Sequence, residues 1–201
     1  MRHFQKFARV GLIALALAVA TPAMADDSAQ SFMKERQAEL VTLIHKGGGP
    51  DNQKKIEQTF DAILDYDALA MGSLDTQWQS LNDNDKKEFE DTLKKLVQRA
   101  YRKNLDRTAS YDVSFDGESK QAADATLVKT TAKSRTNARE EPISIDYLVH
   151  KPAAAWKVED IITEGSSLIK NYRQQFTRII KKDGFPELLR RMKTKLANGS
   201  V

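Results

Sequence analysis

The sequence of 201 residues contains no cysteine, and this absence excludes several kinds of site. Thiolate nucleophiles, cysteine-ligated zinc and iron–sulfur clusters all need cysteine, so none of them is possible here. Disulfides are excluded as well, although exported domains with a small core commonly depend on them. A domain of this composition must therefore be held together by its hydrophobic core.

Histidine is nearly as scarce, because only His45 and His150 follow the first 25 residues. Two isolated histidines form neither a zinc-ligand set nor a convincing triad. The serines after Gly165 are not a Gly-x-Ser-x-Gly elbow, since Leu and Ile occupy positions 168 and 169. Ser166 or Ser167 is instead expected to cap the helix that follows. We therefore expect no catalytic residue, no metal and no cofactor. An exported hydrolase that uses His150 or His45 is kept as an alternative.

Glu159 and Asp160 are two adjacent carboxylates in the strand-rich part of the chain. They are adjacent on a predicted strand, and adjacent strand residues point to opposite faces. The two groups are therefore not expected to act together as acid and base.

No apolar run is long enough to span a membrane. The longest, Val10 to Ala20, has 11 residues and covers about half of a ~30 Å hydrocarbon core. Arg2, Lys6 and Arg9 precede it, and the small-residue pattern Ala23-Met24-Ala25 follows. This arrangement predicts a signal peptide over residues 1–25, cleaved after Ala25, and a periplasmic mature chain. A permanent anchor is the weaker alternative.

The excess of positive charge is small and unevenly distributed, with 32 basic and 28 acidic residues. Three of the basic residues belong to the predicted signal peptide, whereas residues 170–201 hold nine basic and two acidic residues. This basic end could bind an acidic partner or an anionic membrane surface, or consist of solvated helix ends. Nucleic acid is not an expected partner, because the chain is exported and has no sheet with interleaved aromatic and basic residues.

Hydrophobic periodicity divides the mature chain into helical and strand-rich parts. Helical spacing predicts helices over Ser28–Lys46, around Ile56–Leu64 and over Asp67–Leu74, and then a long helix capped by Asn82. After residue 110 the period changes to two. It predicts four strands, with turns at Asp116-Gly117 and Lys151-Pro152, and two closing helices separated at Gly184. We therefore predict one α+β domain over residues 26–201. Its four-stranded antiparallel sheet is wrapped by N- and C-terminal helices that enclose an apolar cavity.

One block of the sequence resembles a known family. It reads Trp156-Lys157-Val158-x-Asp160-Ile161-x-x-Glu164-Gly165-x-Ser167-Leu168-x-x-Asn171-Tyr172-Arg173-x-Gln175-Phe176. Together with Leu64-Asp65-Tyr66-Asp67-x-Leu69 and Gly184-x-x-Glu187-Leu188-Leu189, it resembles the toluene-tolerance (MlaC) family of periplasmic phospholipid-binding proteins. One departure is Asp75, where that family commonly has glycine.

The resemblance implies a soluble carrier, not an enzyme. It would move two-chain phospholipid between an outer-membrane lipoprotein complex and an inner-membrane ABC transporter of the MCE type, maintaining outer-membrane lipid asymmetry. A carrier of another apolar lipid, such as a hopanoid, is the alternative. The acyl chains would lie between the sheet and the helices. The predicted lining residues, each of which is otherwise an ordinary core residue, are Tyr101, Leu105, Ile143, Ile145, Tyr147, Val149, Trp156, Leu168, Tyr172 and Phe176.

Overall fold

A computed structural model of the chain describes residues 27–198 except 104–108, 123 and 154. The predicted signal peptide and Leu105 lie outside the described residues. The described helices are α1 (Ala29–His45), α2 (Pro50–Ile63), α3 (Tyr66–Leu74), α4 (Thr76–Gln79), α5 (Asp83–Lys103), α6 (Leu168–Asp183) and α7 (Phe185–Ala197). The strands are β1 (Tyr111–Lys120), β2 (Ala125–Ser134), β3 (Ile143–His150), β4 (Lys157–Thr163) and β5 (Ser166–Ser167).

The strands form one antiparallel sheet in the order β1-β2-β3-β4-β5. The predicted α+β class and meander are confirmed, but the predicted number of four strands is wrong. Glu164 and Gly165 have positive φ angles of 49° and 73°, as a two-residue hairpin turn requires. This turn places Ser166 opposite Thr163 and adds β5 before α6 begins.

The turn predicted at Asp116-Gly117 is also wrong, because β1 continues through it to Lys120. The register with β2 shifts between Phe115 and Gly117, and Gly117 has a φ of 129°. Glycine adopts this angle without the steric cost of a side chain, so the strand accommodates an extra residue as a bulge. The chain reverses after Lys120 instead, where the Gln121 amide donates to the Ala125 carbonyl at 2.9 Å.

Two helix caps predicted from the sequence are confirmed. The Asn82 side-chain oxygen accepts from the Asp85 amide at 2.9 Å, and the Ser167 hydroxyl oxygen accepts from the Lys170 amide at 3.0 Å. Each contact satisfies an amide that the first turn of a helix leaves unpaired. The starts of α5 and α6 are therefore determined by local sequence.

The hydrophobic core lies between the helices and one face of the sheet. Val128, Val149 and Val158 come from three neighbouring strands and pack in the same buried cluster as helix residues such as Phe89. The ring of Phe89 meets that of Phe176 edge to face at 5.7 Å, which joins α5 to α6. The side of β3 that carries Val149 therefore faces the helices.

The backbone of Asp75, between α3 and α4, has a strained conformation whose free-energy cost can be measured. Its φ of 53° and ψ of −125° form a combination that is essentially restricted to glycine. We expect Asp75→Gly to raise the free energy of unfolding by about 1 kcal/mol, because relief of this strain exceeds the added unfolded-state entropy. The ion pair lost with Arg173 is exposed and 3.7 Å long, so it contributes little.

Urea denaturation measures this effect, with Asp75→Ala as the matched control. The alanine variant removes the same carboxylate but keeps the Cβ atom, so it should be no more stable than the wild type. An equal gain in both variants would assign the effect to the carboxylate and contradict the strain argument.

Candidate apolar binding site

Strand β3 presents an apolar row to the helices. Ile143, Ile145 and Tyr147 are half-buried on this face, whereas Val149 is fully buried. The row follows from the alternation of side chains along a strand, since Ser144 on the opposite face is exposed. The half-buried part of the row, at residues 143–147, is where a ligand could replace protein contacts.

Two phenols, Tyr101 and Tyr147, add polar groups to this region. Tyr101 comes from α5, and its ring stacks on Phe60 of α2 with centroids 3.7 Å apart. Burial raises the pKa of Tyr147 to about 12, although the side chain keeps some accessible surface. Burial, and then the nearby Tyr147, raise the pKa of Tyr101 to about 12. Both groups are therefore neutral hydroxyls at physiological pH. The surroundings of these two side chains, where the half-buried part of the β3 row faces the helices, are called the recess below.

Helix α6 contributes three of the predicted lining residues, and they differ in burial. Leu168 and Tyr172 are half-buried, whereas Phe176 is 6% exposed and belongs to the core. The rings of Tyr172 and Phe176 stack at 5.3 Å, and burial raises the pKa of the Tyr172 hydroxyl. These contacts place the apolar face of α6 over the core, as helical periodicity predicts.

Trp156 packs against the same core but also makes polar contacts with the start of the described chain. Its indole N–H donates to the Asp27 carboxylate at 2.9 Å, and the Lys151 ammonium donates to the same carboxylate at 2.5 Å. These bonds lower the pKa of Asp27. The side chain of Trp156 therefore attaches the start of the described chain to the end of the sheet. The assignments of lining residues stay predictions, and the placement favours Tyr101, Tyr147 and the half-buried isoleucines most.

Polar side chains around the Phe60–Tyr101 stack join α2 to α5. The sequence did not predict these contacts. Asp61 accepts hydrogen bonds from Tyr66 at 2.7 Å and from Gln98 at 2.8 Å, and it pairs with Lys94 at 3.2 Å. Burial of the Asp61 carboxyl opposes its ionisation, but these bonds outweigh burial and lower its pKa. No spacing in the sequence marks these contacts, because residues 61 and 98 meet only in the folded chain.

His150 and Asp65 form a second contact that sequence reasoning missed. His150 Nε2 lies 2.9 Å from Asp65 Oδ2, and both side chains are 15% exposed. The other carboxylate oxygen of Asp65 accepts from the Ala68 amide at 2.9 Å, which caps α3. The pair therefore joins the end of β3 to the start of α3. His45, by contrast, is exposed at the end of α1.

Within the described part of the chain, two surface grooves lie away from the predicted lining residues. One, of about 460 Å³, is lined by Asn84, Lys87, Glu88, Asp91, Thr92, Lys95, Lys193 and Leu196. The other, of about 350 Å³, is lined by Asp61, Leu64, Asp65, Tyr66, Asp67, Glu90, Asp91, Lys94, Pro152 and Lys157. Both are mostly charged, and neither contains a predicted lining residue. No helix within the described ranges is long and apolar enough to cross a membrane.

An antiparallel sheet whose apolar face and half-buried phenols are covered by helices defines an α+β binding domain. The chain belongs to the MlaC family, since the family model described as "MlaC protein" matches residues 30–194. This confirms the resemblance found in the sequence.

A solved structure supports the same fold. It is the phospholipid-binding protein from Ralstonia solanacearum in complex with a phospholipid, at 1.53 Å resolution. The match has a TM-score of 0.72 and 25% sequence identity, and it covers 86% of this chain and 98% of that protein. A search of curated proteins finds no match.

Proposed function

We propose that this protein is a periplasmic phospholipid carrier. A signal peptide over residues 1–25 would be removed after Ala25, and the single domain over residues 26–201 would bind a two-chain phospholipid. The observation that carries this proposal is the half-buried apolar face of β3 in a fold whose solved relative holds a phospholipid. The acyl chains would lie between that face and the helices.

The energetics of lipid in water explain why such a carrier is needed. Exposure costs about 0.8 kcal/mol per methylene, so two chains of about 15 methylenes each cost roughly 24 kcal/mol. Free diffusion across an aqueous gap is therefore negligible. An interior as apolar as the bilayer makes transfer nearly neutral, so modest contacts with partners suffice to direct it. In this proposal the partners are an outer-membrane lipoprotein complex and an inner-membrane MCE-type ABC transporter, and the transport maintains lipid asymmetry.

Lipid analysis of the purified mature protein tests the proposal. Organic extraction followed by mass spectrometry should recover two-chain phospholipid at close to one molecule per protein. Recovery of a hopanoid instead would support the alternative cargo, and a protein that neither retains nor takes up lipid would refute the carrier function. Replacement of His45 and His150 by alanine should leave lipid transfer intact. A loss of transfer in a folded double variant would revive the hydrolase alternative.

Charge on α6 supports a docking face within this function. Lys170, Arg178, Lys181 and Lys182 are exposed on one side of the helix, over roughly 18 Å, and they form no ion pair with a described residue. By contrast, the cations of α7 are largely neutralised. Hydrogen bonds from Arg190 and Arg191 lower the pKa of Glu187 to about 2. We therefore assign docking on an anionic membrane surface to the α6 face and not to α7.

Reversal of charge at Lys181 and Lys182 should weaken this docking strongly. Each basic residue near an anionic membrane contributes about 1 kcal/mol, so Lys181→Glu/Lys182→Glu should bind phosphatidylglycerol vesicles at least about 25-fold more weakly than wild type. Cosedimentation at low salt measures the affinity. Lys54→Glu/Lys55→Glu on α2 makes the same change in net charge and should bind nearly as well as wild type. Equal losses in the two variants would show a non-specific charge effect.

A further inference from the structure

Tyr101 carries a buried hydroxyl that the fold leaves without a partner. The oxygen is inaccessible to solvent and makes no hydrogen bond to any described residue. A buried donor of this kind costs folding free energy, and natural folds rarely tolerate one without a reason. Its ring is fixed by the stack on Phe60, so the hydroxyl cannot readily turn away to solvent.

Tyr147 places a second phenol beside the first. It forms no hydrogen bond within the described part of the chain, and it is close enough to Tyr101 to interact with it electrostatically. Two other phenols of the protein, those of Tyr66 and Tyr111, are satisfied. The Tyr66 hydroxyl donates to Asp61 at 2.7 Å, and the Tyr111 hydroxyl donates to Glu140 at 2.6 Å. The recess therefore holds two neutral O–H donors that have no acceptor among the described residues, and the donor of Tyr101 is also closed to solvent.

We propose that Tyr101 and Tyr147 donate hydrogen bonds to the ester carbonyl oxygens of a diacyl lipid bound in the recess. This inference rests on the proposed function and specifies the class of cargo. An ester carbonyl is a neutral acceptor at the head of each acyl chain, where a chain enters an apolar site. A phosphate fits the pair less well, because no predicted lining residue is charged and a buried anion needs a compensating charge.

The proposal makes the protein selective for ester-linked lipids. A lipid with ether-linked chains has the same length and head group but lacks the two carbonyl acceptors, so both phenols would stay unpaired in its complex. A polycyclic hydrocarbon would leave them unpaired as well. The penalty for leaving buried donors unpaired is what a site of this kind uses to discriminate between ligands.

The test compares two phosphatidylethanolamines with saturated 16-carbon chains, one ester-linked and one ether-linked, bound to the delipidated mature protein. Wild type should prefer the ester lipid by roughly tenfold, as expected for two neutral hydrogen bonds. Tyr101→Phe/Tyr147→Phe should bind both lipids with equal affinity. Tyr111→Phe, which removes a satisfied phenol on the same face of the sheet, should keep the preference.

The outcomes separate this inference from the function on which it rests. Equal affinity of wild type for both lipids, or a preference that survives in the double phenylalanine variant, would overturn the phenol assignment while leaving the carrier function intact. Failure of wild type to bind either lipid would overturn both. Each single phenylalanine variant, with its folding checked by near-ultraviolet circular dichroism, identifies the phenol that contributes more.

Discussion

Replacement of Tyr147 by arginine should lower the amount of phospholipid bound to the purified protein by at least tenfold. Tyr147 lies on the helix-facing side of β3 in surroundings dry enough to raise its pKa to about 12. A guanidinium at this position is always charged, and its burial beside acyl chains without a counter-ion is strongly unfavourable. Lipid phosphorus per protein, measured after purification, gives the occupancy directly.

Ser144→Arg is the matched control for this variant. Ser144 lies on the same strand but is exposed on the opposite face, so an arginine there should leave lipid content unchanged. Far-ultraviolet circular dichroism should show a native fold in both variants. Unchanged lipid content in folded Tyr147→Arg would place the lipid elsewhere and refute the assignment of the recess.

Replacement of Asp160 by alanine should destabilise the fold by about 3 kcal/mol. The Asp160 carboxylate is 7% exposed and accepts from the Ser167 hydroxyl at 2.5 Å and from the Ile169 amide at 3.0 Å. It also accepts from the Ile161 amide at 2.9 Å, so its loss leaves several buried donors without an acceptor. A urea midpoint lower by about 1–2 M is the expected result.

Glu159→Ala provides the comparison for Asp160→Ala. Glu159 is half-buried, and its side chain makes no hydrogen bond to a described residue, so its truncation should cost less than about 1 kcal/mol. Similar losses in the two variants would contradict the role of Asp160 as the carboxylate that joins β4 to the start of α6. The pair of variants also separates this hydrogen-bond network from a general effect of negative charge.

Local patterns predicted much of the fold because they depend on neighbours within a few residues. Alternation placed Ile143, Ile145 and Tyr147 on one face of β3, and side-chain caps marked the starts of α5 and α6. The bulge at Gly117 and strand β5 escaped prediction. Both depend on the register with a partner strand, which composition and period do not encode.

The candidate site was predictable to a similar extent. Its apolar character follows from periodicity and from the family resemblance. The stack of Tyr101 on Phe60, the bonds from Gln98 and Lys94 to Asp61, and the bond from Trp156 to Asp27 were not foreseen. Each of these contacts joins residues that are remote in the chain, so only their distances in the folded protein reveal them.

The sequence by itself determined the absence of cysteine chemistry, the order of helices before and after the sheet, and the family. These features depend only on residue types and on short spacings along the chain. Only the tertiary structure decided that the phenols of Tyr101 and Tyr147 lie close together without an acceptor among the described residues. It also decided that Lys181 and Lys182 of α6 pair with no described residue, whereas Arg190 and Arg191 of α7 pair with Glu187. The physical reason is that pairing and burial depend on which distant groups the fold brings within a few ångströms of each other.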